Sequence, residues 1–369
     1  MKILFDGAIF SMQRFGGISR YYAALFEHLP EEVSASLLLT QGKYSEGSYL
    51  PPRLTTFRVP SVPTIKLLRP ASRWIDQKMT NRVDRSISVD ITHWTYYVGL
   101  HRRPVKRLKD RLQVVTVYDM IHEIFPETDP KNKETKWKRN AVSEADLLIC
   151  ISDTTLNDLK KWYPECASRA ISIPLGNPIE GVTPSALPPA LRSKPYVLFV
   201  GKRGGYKNFG VVAKAWKHLR STYPELQLVL VGNAMSREEA TDWDLCNCES
   251  DLHRMGHVDD SLLAALYKNA VAFVFSSRYE GFGLPAVEAM SCGALLIASP
   301  GGALKEVVGN GGVFFDPDDS EHLSDLLCQA VEGSPHLVEV RNAGLERAAK
   351  FCWKSTAEKT YAAYKSLLT

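Results

Sequence analysis

The chain has 369 residues, 45% hydrophobic and 23% charged, so it carries more apolar material than one core holds and two domains are expected. No run approaches the ~20 apolar residues of a membrane-spanning helix, and Asp6 interrupts the first apolar stretch, so a strand is read there rather than a signal peptide. The net charge is +4, split as +7 over residues 1–150 and −3 over the rest.

In chain order, short β-rich runs predict strands at 2–7, 34–40, 88–94, 112–119, 145–152 and 169–175. Between the first two, residues 17–29 place Ile18, Tyr21, Tyr22, Leu25 and Leu29 on one stripe at helical spacing. Residues 177–194 are proline-rich and aperiodic, which reads as a linker. A second strand series follows at 196–201, 226–232, 271–277, 294–300 and 312–317. Strands alternating with helical segments predict an α/β chain of two Rossmann-like parallel-sheet domains, 1–176 and 195–350. Two such domains imply a cleft, with ligands at the carboxyl ends of the strands. Residues 351–369 read as a final helix with two homes open to it, the second domain or the first.

The basic excess concentrates in Lys66, Arg69, Arg73, Lys78, Arg82 and Arg85, and again from Arg102 to Arg111. A solvated face explains such clusters, and so does a surface for anionic lipid or for a phosphate-bearing substrate. Regular interleaving with aromatics is missing, so nucleic acid is not expected as a partner. The seven cysteines are scattered and odd in number, with no second Cys/His pair at zinc-site spacing near Cys246 and Cys248. They read as free thiols of a reducing, cytoplasmic compartment.

Two segments carry chemistry. In "YVLFVGKRGGYKN" (196–208) a strand ends in a glycine-bearing turn from which Arg203 and Lys207 are expected to project, as a fork and a point charge suited to a diphosphate. The alternative is an exposed basic turn. In "SSRYEGFGLPAVEAM" (276–290) a strand runs through a glycine loop into a helix that Pro285 is expected to begin, leaving N–H groups at its positive end. Glu280 sits at the strand end, where a carboxylate is suited to sugar hydroxyls. Glu288 is expected in the first turn of that helix, where acids are favoured in any case. Cations, N–H donors and carboxylates together match a nucleotide diphosphate sugar.

"EGFGLPAVE" closely resembles the E-x7-E motif of the retaining family 4 glycosyltransferases, which have the GT-B fold, and "VGKRGGYKN" resembles their VG-x-R-x3-K-N element. Residues 254–270, 301–319 and the Trp353 helix are similar to the family's pattern, as are 15–29, 115–123 and 151–159 in the first half. The resemblance therefore covers essentially the whole chain. It implies that Arg203 and Lys207 hold the diphosphate, Glu280 the transferred sugar and Glu288 the ribose. It implies also that Gly281 and the amides of Phe282, Gly283 and Leu284 face sugar and phosphates, and that Val258 lies where the base is contacted. Gly16 and Gly17 are expected to close over the phosphates from the first domain, and the last helix to cross back to that domain. Tyr118-Asp119 stands where many members have His-Asp, so no histidine role is carried over at that position.

Such a transferase works by stabilising a departing diphosphate, and the resemblance implies front-face attack with no protein nucleophile, unlike the carboxylate pair of a retaining hydrolase. "DWD" (242–244) and "DPD" (316–318) match a metal-binding Asp-x-Asp, but the second reads as a turn, and no metal or cofactor is expected. On the acceptor side His93, Tyr118, Asp119 and His122 fall at or just past predicted strand ends. Asp119, ending a buried strand, is the first choice to orient or deprotonate an acceptor hydroxyl.

A Rossmann dehydrogenase is disfavoured, because the first turn lacks G-x-G-x-x-G. A nucleotide-sugar epimerase and a non-catalytic subunit that binds a partner or the membrane stay open. The first-domain strings are most like members using GDP-mannose, with UDP- and dTDP-sugars as alternatives. The expected acceptor is a saccharide or lipid-linked saccharide at the inner face of the cytoplasmic membrane, in surface polysaccharide or O-antigen assembly.

Overall fold

The structure, a computed structural model, describes residues 1–12, 16–40, 54–59, 69–95, 111–246, 248 and 250–369. It divides into two compact units, Met1–Gly176 with Trp353–Thr369, and Asn177–Cys352.

The first unit is built on β1 (Lys2–Asp6), β2 (Ser34–Thr40), β3 (Thr55–Val59), β4 (Ile91–Thr95), β5 (Leu112–Val117), β6 (Leu147–Cys150) and β7 (Ala170–Ser172). They form one parallel sheet in the order β3-β2-β1-β4-β5-β6-β7. Its central strands are buried on both faces: Ile3, Phe5, Ile91, Val114, Val115 and Leu148 are all inaccessible to water. β1 and β6 accordingly read as near-continuous apolar runs, whereas β4 and β5 bury Thr92, His93, Gln113 and Thr116 among their apolar residues. The final helix, Trp353–Leu368, belongs to this unit. Thr356 Oγ1 donates to the Pro174 carbonyl at 2.8 Å, and Trp353 lies against Tyr21.

The second unit carries β8 (Tyr196–Val200), β9 (Gln227–Val231), β10 (Leu252–Gly256), β11 (Ala272–Phe275), β12 (Leu296–Ala298) and β13 (Val313–Phe314). Its parallel sheet has the order β10-β9-β8-β11-β12-β13. The helix Phe209–Arg220 follows β8 and buries Phe209 and Trp216 against the sheet, with the Trp216 indole N–H bonded to the Leu226 carbonyl at 3.0 Å. Both sheets reverse their winding after the first strand, which puts the turns after β1 and β8 at the switch points where ligands of such sheets bind.

Three sequence expectations are revised. Residues 177–194 do not hang as a linker: Ile179 and Leu191 are buried, and Ser185 N–H bonds to the Ser261 carbonyl within the second unit. Arg111 is no surface cation, being buried on Asp84 at 2.9 Å. β3 and β10 are additional to the expected strands: polar or charged residues at their exposed positions, Thr55, Thr56 and Arg58 in one and Arg254 in the other, break the apolar pattern. Lys66, Arg102, Arg103, Lys106, Arg107 and Lys109 lie outside the described residues.

Candidate functional site

Within the second unit, the turn after β8 and the loop after β11 are tied together. The Arg278 N–H donates to the Tyr206 carbonyl at 2.8 Å and Ser276 Oγ to the Lys207 carbonyl at 2.8 Å. Lys207 ends a short 3-10 turn, Gly205–Lys207, and its Nζ donates to Glu280 Oε1 at 2.5 Å. That ammonium also lies 5.0 Å from the Tyr206 ring centroid, a second source of stabilisation for its charge. Asn208 takes a left-handed conformation (φ 55°) and closes the turn by bonding the Pro317 carbonyl.

Glu280 is fixed from below by the loop after β12. The Ala303 N–H donates to the Glu280 carbonyl at 2.8 Å, and a Cβ on Gly302 would fall 2.3 Å from that oxygen. With φ +59°, only glycine fits there without displacing Glu280. The loop Gly281–Gly283 then leads into the helix Leu284–Ser291, which Gly283 caps with φ 99°. Phe282 is buried edge-on against Phe351. At the positive end of this helix Pro285 brings no N–H and the Ala286 N–H bonds the Gly283 carbonyl at 2.9 Å, which leaves Leu284 to offer the first amide, four residues after Glu280.

Glu288 differs from expectation. It is the fifth residue of the helix, with Pro285 second, so the preference of acids for first turns does not explain it. It is nearly inaccessible at 6% exposure, and Oε2 accepts from the Tyr267 hydroxyl at 3.1 Å. A carboxylate buried in this way needs such a donor. Burial pushes the neighbouring Cys292 thiol up to about 11, which leaves it unreactive as a nucleophile.

Arg203 also departs from expectation. It does not project from the turn but lies at 4% exposure, its two terminal nitrogens on the Asn233 and Ala234 carbonyls (2.9 and 3.0 Å) and on Glu239 Oε2 (3.0 Å). Val258 sits half-buried in the loop between β10 and the helix Asp260–Asn269, which Asp259 caps. The "DPD" carboxylates are occupied in the way a turn occupies them: Asp316 accepts from the Asp318 N–H, Asp318 pairs with Arg278, and the next residue, Asp319, caps the following helix. In "DWD", Asp242 ends a short helix and Asp244 pairs with Lys217. Among the described residues no group of three or more His, Cys, Asp or Glu side chains is arranged to hold a metal ion.

In the first unit, Gly16 caps the helix Gly17–His28, its carbonyl accepting from the Arg20 N–H and Ser19 Oγ. His93 is a correction. It is fully buried in the core, with Nδ1 bonded to the Tyr364 hydroxyl (2.5 Å) and Nε2 to Thr116 Oγ1 (2.7 Å), and burial pulls its pKa down to about 3. It ties the last helix to the sheet and has no free edge for an acceptor. Tyr118 is likewise buried, edge-on to Tyr21. Asp119 and His122 stay partly open. Asp119 Oδ1 accepts from the Ile121 N–H at 3.0 Å, and Lys138 Nζ approaches the same oxygen to 3.7 Å. His122 bridges Thr128 and Glu134, and the Glu134 bond raises its pKa above the usual range.

Sequence reasoning missed Lys138, Glu123, Tyr163, Tyr267 and Glu239. Lys138 is inaccessible to water, donating to Glu123 Oε2 (2.7 Å) and the Asp119 carbonyl (2.9 Å), while the Tyr163 hydroxyl donates to Glu123 Oε1. In "KETKWKRN" this lysine is indistinguishable from its exposed neighbours. Ser236-x-x-Glu239, in contrast, has the readable form of a capping box.

The family described as "Glycosyl transferases group 1" matches residues 188–347, a span inside the second unit. The chain carries a group 1 glycosyltransferase domain. The matched span holds Arg203, Lys207, Val258, Glu280–Leu284 and Glu288, whereas the candidates of the first unit lie outside it. The chain is 29% identical over 287 residues to the O-antigen chain mannosyltransferase B of Escherichia coli, covering 73% of this chain and 74% of that one. It is 36% identical over 119 residues to the serotype-specific mannosyltransferase WbdA of Escherichia coli, a match to 32% of this chain and only 15% of that protein. Among solved structures it superposes on sucrose-phosphate synthase from Thermosynechococcus elongatus with a TM-score of 0.79, 20% identity and coverage of 100% and 99%. It superposes on WaaG, a glycosyltransferase involved in lipopolysaccharide biosynthesis, with a TM-score of 0.73, 16% identity and 98% of each chain. The fold is therefore that of the GT-B glycosyltransferases, as two parallel Rossmann-like sheets and the returning final helix imply.

Proposed function

We propose that this glycosyltransferase moves a mannose-like hexose, with retention and without a metal, from a GDP-linked sugar to a saccharide or lipid-linked saccharide in surface polysaccharide assembly. The observation that carries the reading is the Lys207–Glu280 pair, with Glu280 four residues before the positive end of the helix Leu284–Ser291. It gathers, on one side of a switch point, a cation for phosphate, donors for an anion and an acceptor for sugar hydroxyls. The name of the O-antigen chain mannosyltransferase supports the choice of sugar and process.

In the proposed reaction the sugar C1–O bond to the diphosphate breaks and a C1–O bond to the acceptor forms on the same face. The acceptor proton passes to the departing phosphate oxygen. Lys207 and the helix amides meet the negative charge that grows on that oxygen, where preorganised donors contribute most. The same ammonium holds Glu280, so one cation links the proposed phosphate and sugar contacts. Glu280 then fixes the transferred sugar and Glu288, steadied by Tyr267, the ribose. In the first unit Asp119 orients the acceptor hydroxyl. Lys78, Arg82 and Arg85, exposed along one face of the helix Arg69–Ser86, suit an anionic membrane surface where a lipid-linked acceptor would lie.

Incubating the purified chain with GDP-mannose and lipid-linked saccharide extracted from a surface-polysaccharide producer tests this. The expected product is an α-mannoside, formed at an unchanged rate in EDTA. A β-linked product, or a rate abolished by EDTA and restored by Mg²⁺, would contradict the proposal.

A further inference from the structure

The turns after β8 and β9 meet backbone to backbone. Gly232 (φ +133°) approaches so closely that a Cβ there would fall 2.8 Å from the Gly201 carbonyl oxygen. This contact brings the carbonyls of Asn233 and Ala234 under the Arg203 side chain, where they take one donor from each terminal nitrogen. The second donor of Nη2 goes to Glu239 Oε2, the oxygen that also accepts the Ser236 N–H in the capping box. Nε–H has no hydrogen-bond partner among the described residues, although it is buried, and Nη1 has one donor left. Three acceptors thus fix the plane of the guanidinium and leave Nε–H and one Nη1–H uncommitted.

We propose that Glu239 is a positioning residue for Arg203: its carboxylate holds the guanidinium so that the uncommitted N–H groups, rather than the fork between Nη1 and Nη2, meet the donor's diphosphate. Two demands on one carboxylate explain its place. As the third residue of a short helix it completes the cap, and as an anion 3.0 Å from Nη2 it anchors the cation. Without it the guanidinium keeps only two carbonyl contacts and is free to rotate about its side chain. This role rests on the proposed diphosphate-sugar donor.

The test is titration calorimetry of GDP against GMP, and of UDP against UMP, on the whole chain and three variants. Glu239→Ala is expected to weaken diphosphate binding by roughly tenfold or more, the worth of a charge-assisted hydrogen bond, with the monophosphate unaffected. Glu239→Gln keeps an oxygen acceptor and a residue that serves equally in a capping box but gives up the charge, so it is expected to fall between the wild type and Glu239→Ala. Ser236→Ala removes the cap's hydroxyl and leaves the Glu239–Arg203 contact, so it too is expected to keep the diphosphate preference. An unaltered preference in Glu239→Ala would overturn the role, and so would an equal loss in Ser236→Ala, which would mark the helix rather than the carboxylate. A wild type that binds neither GDP nor UDP would remove the donor reading and this role together.

Discussion

Lys207 and Glu280, 73 residues apart in sequence, form an ion pair at 2.5 Å that joins the two strand-to-helix turns of the second unit. Each motif offers one charge, and the fold makes them a pair. Lys207→Ala is expected to lower kcat/KM for the sugar donor by roughly 100-fold to 1,000-fold, the usual cost of one preorganised donor to a developing oxyanion. Steady-state kinetics at varied donor concentration checks this, and a loss confined to KM would assign Lys207 to binding that is equal in the ground and transition states.

Tyr267 supports Glu288 through one hydrogen bond and lies on a different helix. Tyr267→Phe removes only the hydroxyl, so donor affinity is expected to fall by roughly 2-fold to 10-fold, in line with about 0.5–1.5 kcal/mol for one such bond. Competition titration with the free nucleotide gives the number.

Lys138 holds Glu123 and the Asp119 carbonyl from a position closed to water. Lys138→Met leaves the Glu123 carboxylate buried without its cation and is expected to lower unfolding free energy by about 3–5 kcal/mol. Adding Glu123→Gln should recover part of that loss, because the double variant buries no lone charge. Urea unfolding of the single and double variants separates the two cases.

His93 stays neutral in the folded chain because burial pulls its pKa to about 3, whereas the unfolded chain protonates near 6.5. Between those values only the unfolded state takes up the proton, so stability falls as pH drops from about 6.5, by up to about 1.4 kcal/mol per pH unit. His122 acts in the opposite sense. Its raised pKa contributes stability below its unfolded value, lost as pH rises through the folded one. His93→Gln, which keeps a donor and an acceptor for Tyr364 and Thr116, should show a shallower acid loss in urea unfolding. An unchanged acid slope would count against this assignment.

The strands were legible because parallel sheets covered on both faces leave near-continuous apolar runs, as in β6, β8 and β9. β3 and β10 escaped notice because Thr55, Thr56 and Arg58 in one and His253 and Arg254 in the other break the apolar pattern. At the candidate site, the sequence places Glu280 and Lys207 in glycine turns that follow strands of one sheet, and those turns are where the structure has them. What single residues could not show was direction. Arg203 turns back onto carbonyls exposed by the β9 turn, and His93 turns inward to a helix 271 residues away. Both outcomes depend on partners distant in sequence. Glu288 lies one residue deeper in its helix than expected, and it is buried.

The central claim is that the Lys207–Glu280 turn pair is the phosphate and sugar end of a nucleotide-sugar site. A thermal-shift panel of GDP, UDP, dTDP and ADP on the wild type and on Lys207→Ala tests it most directly. The account predicts that GDP stabilises the wild type most and that the Lys207→Ala shift is largely lost. Stabilisation by UDP alone would contradict the donor choice, and an undiminished shift in Lys207→Ala would contradict the site itself.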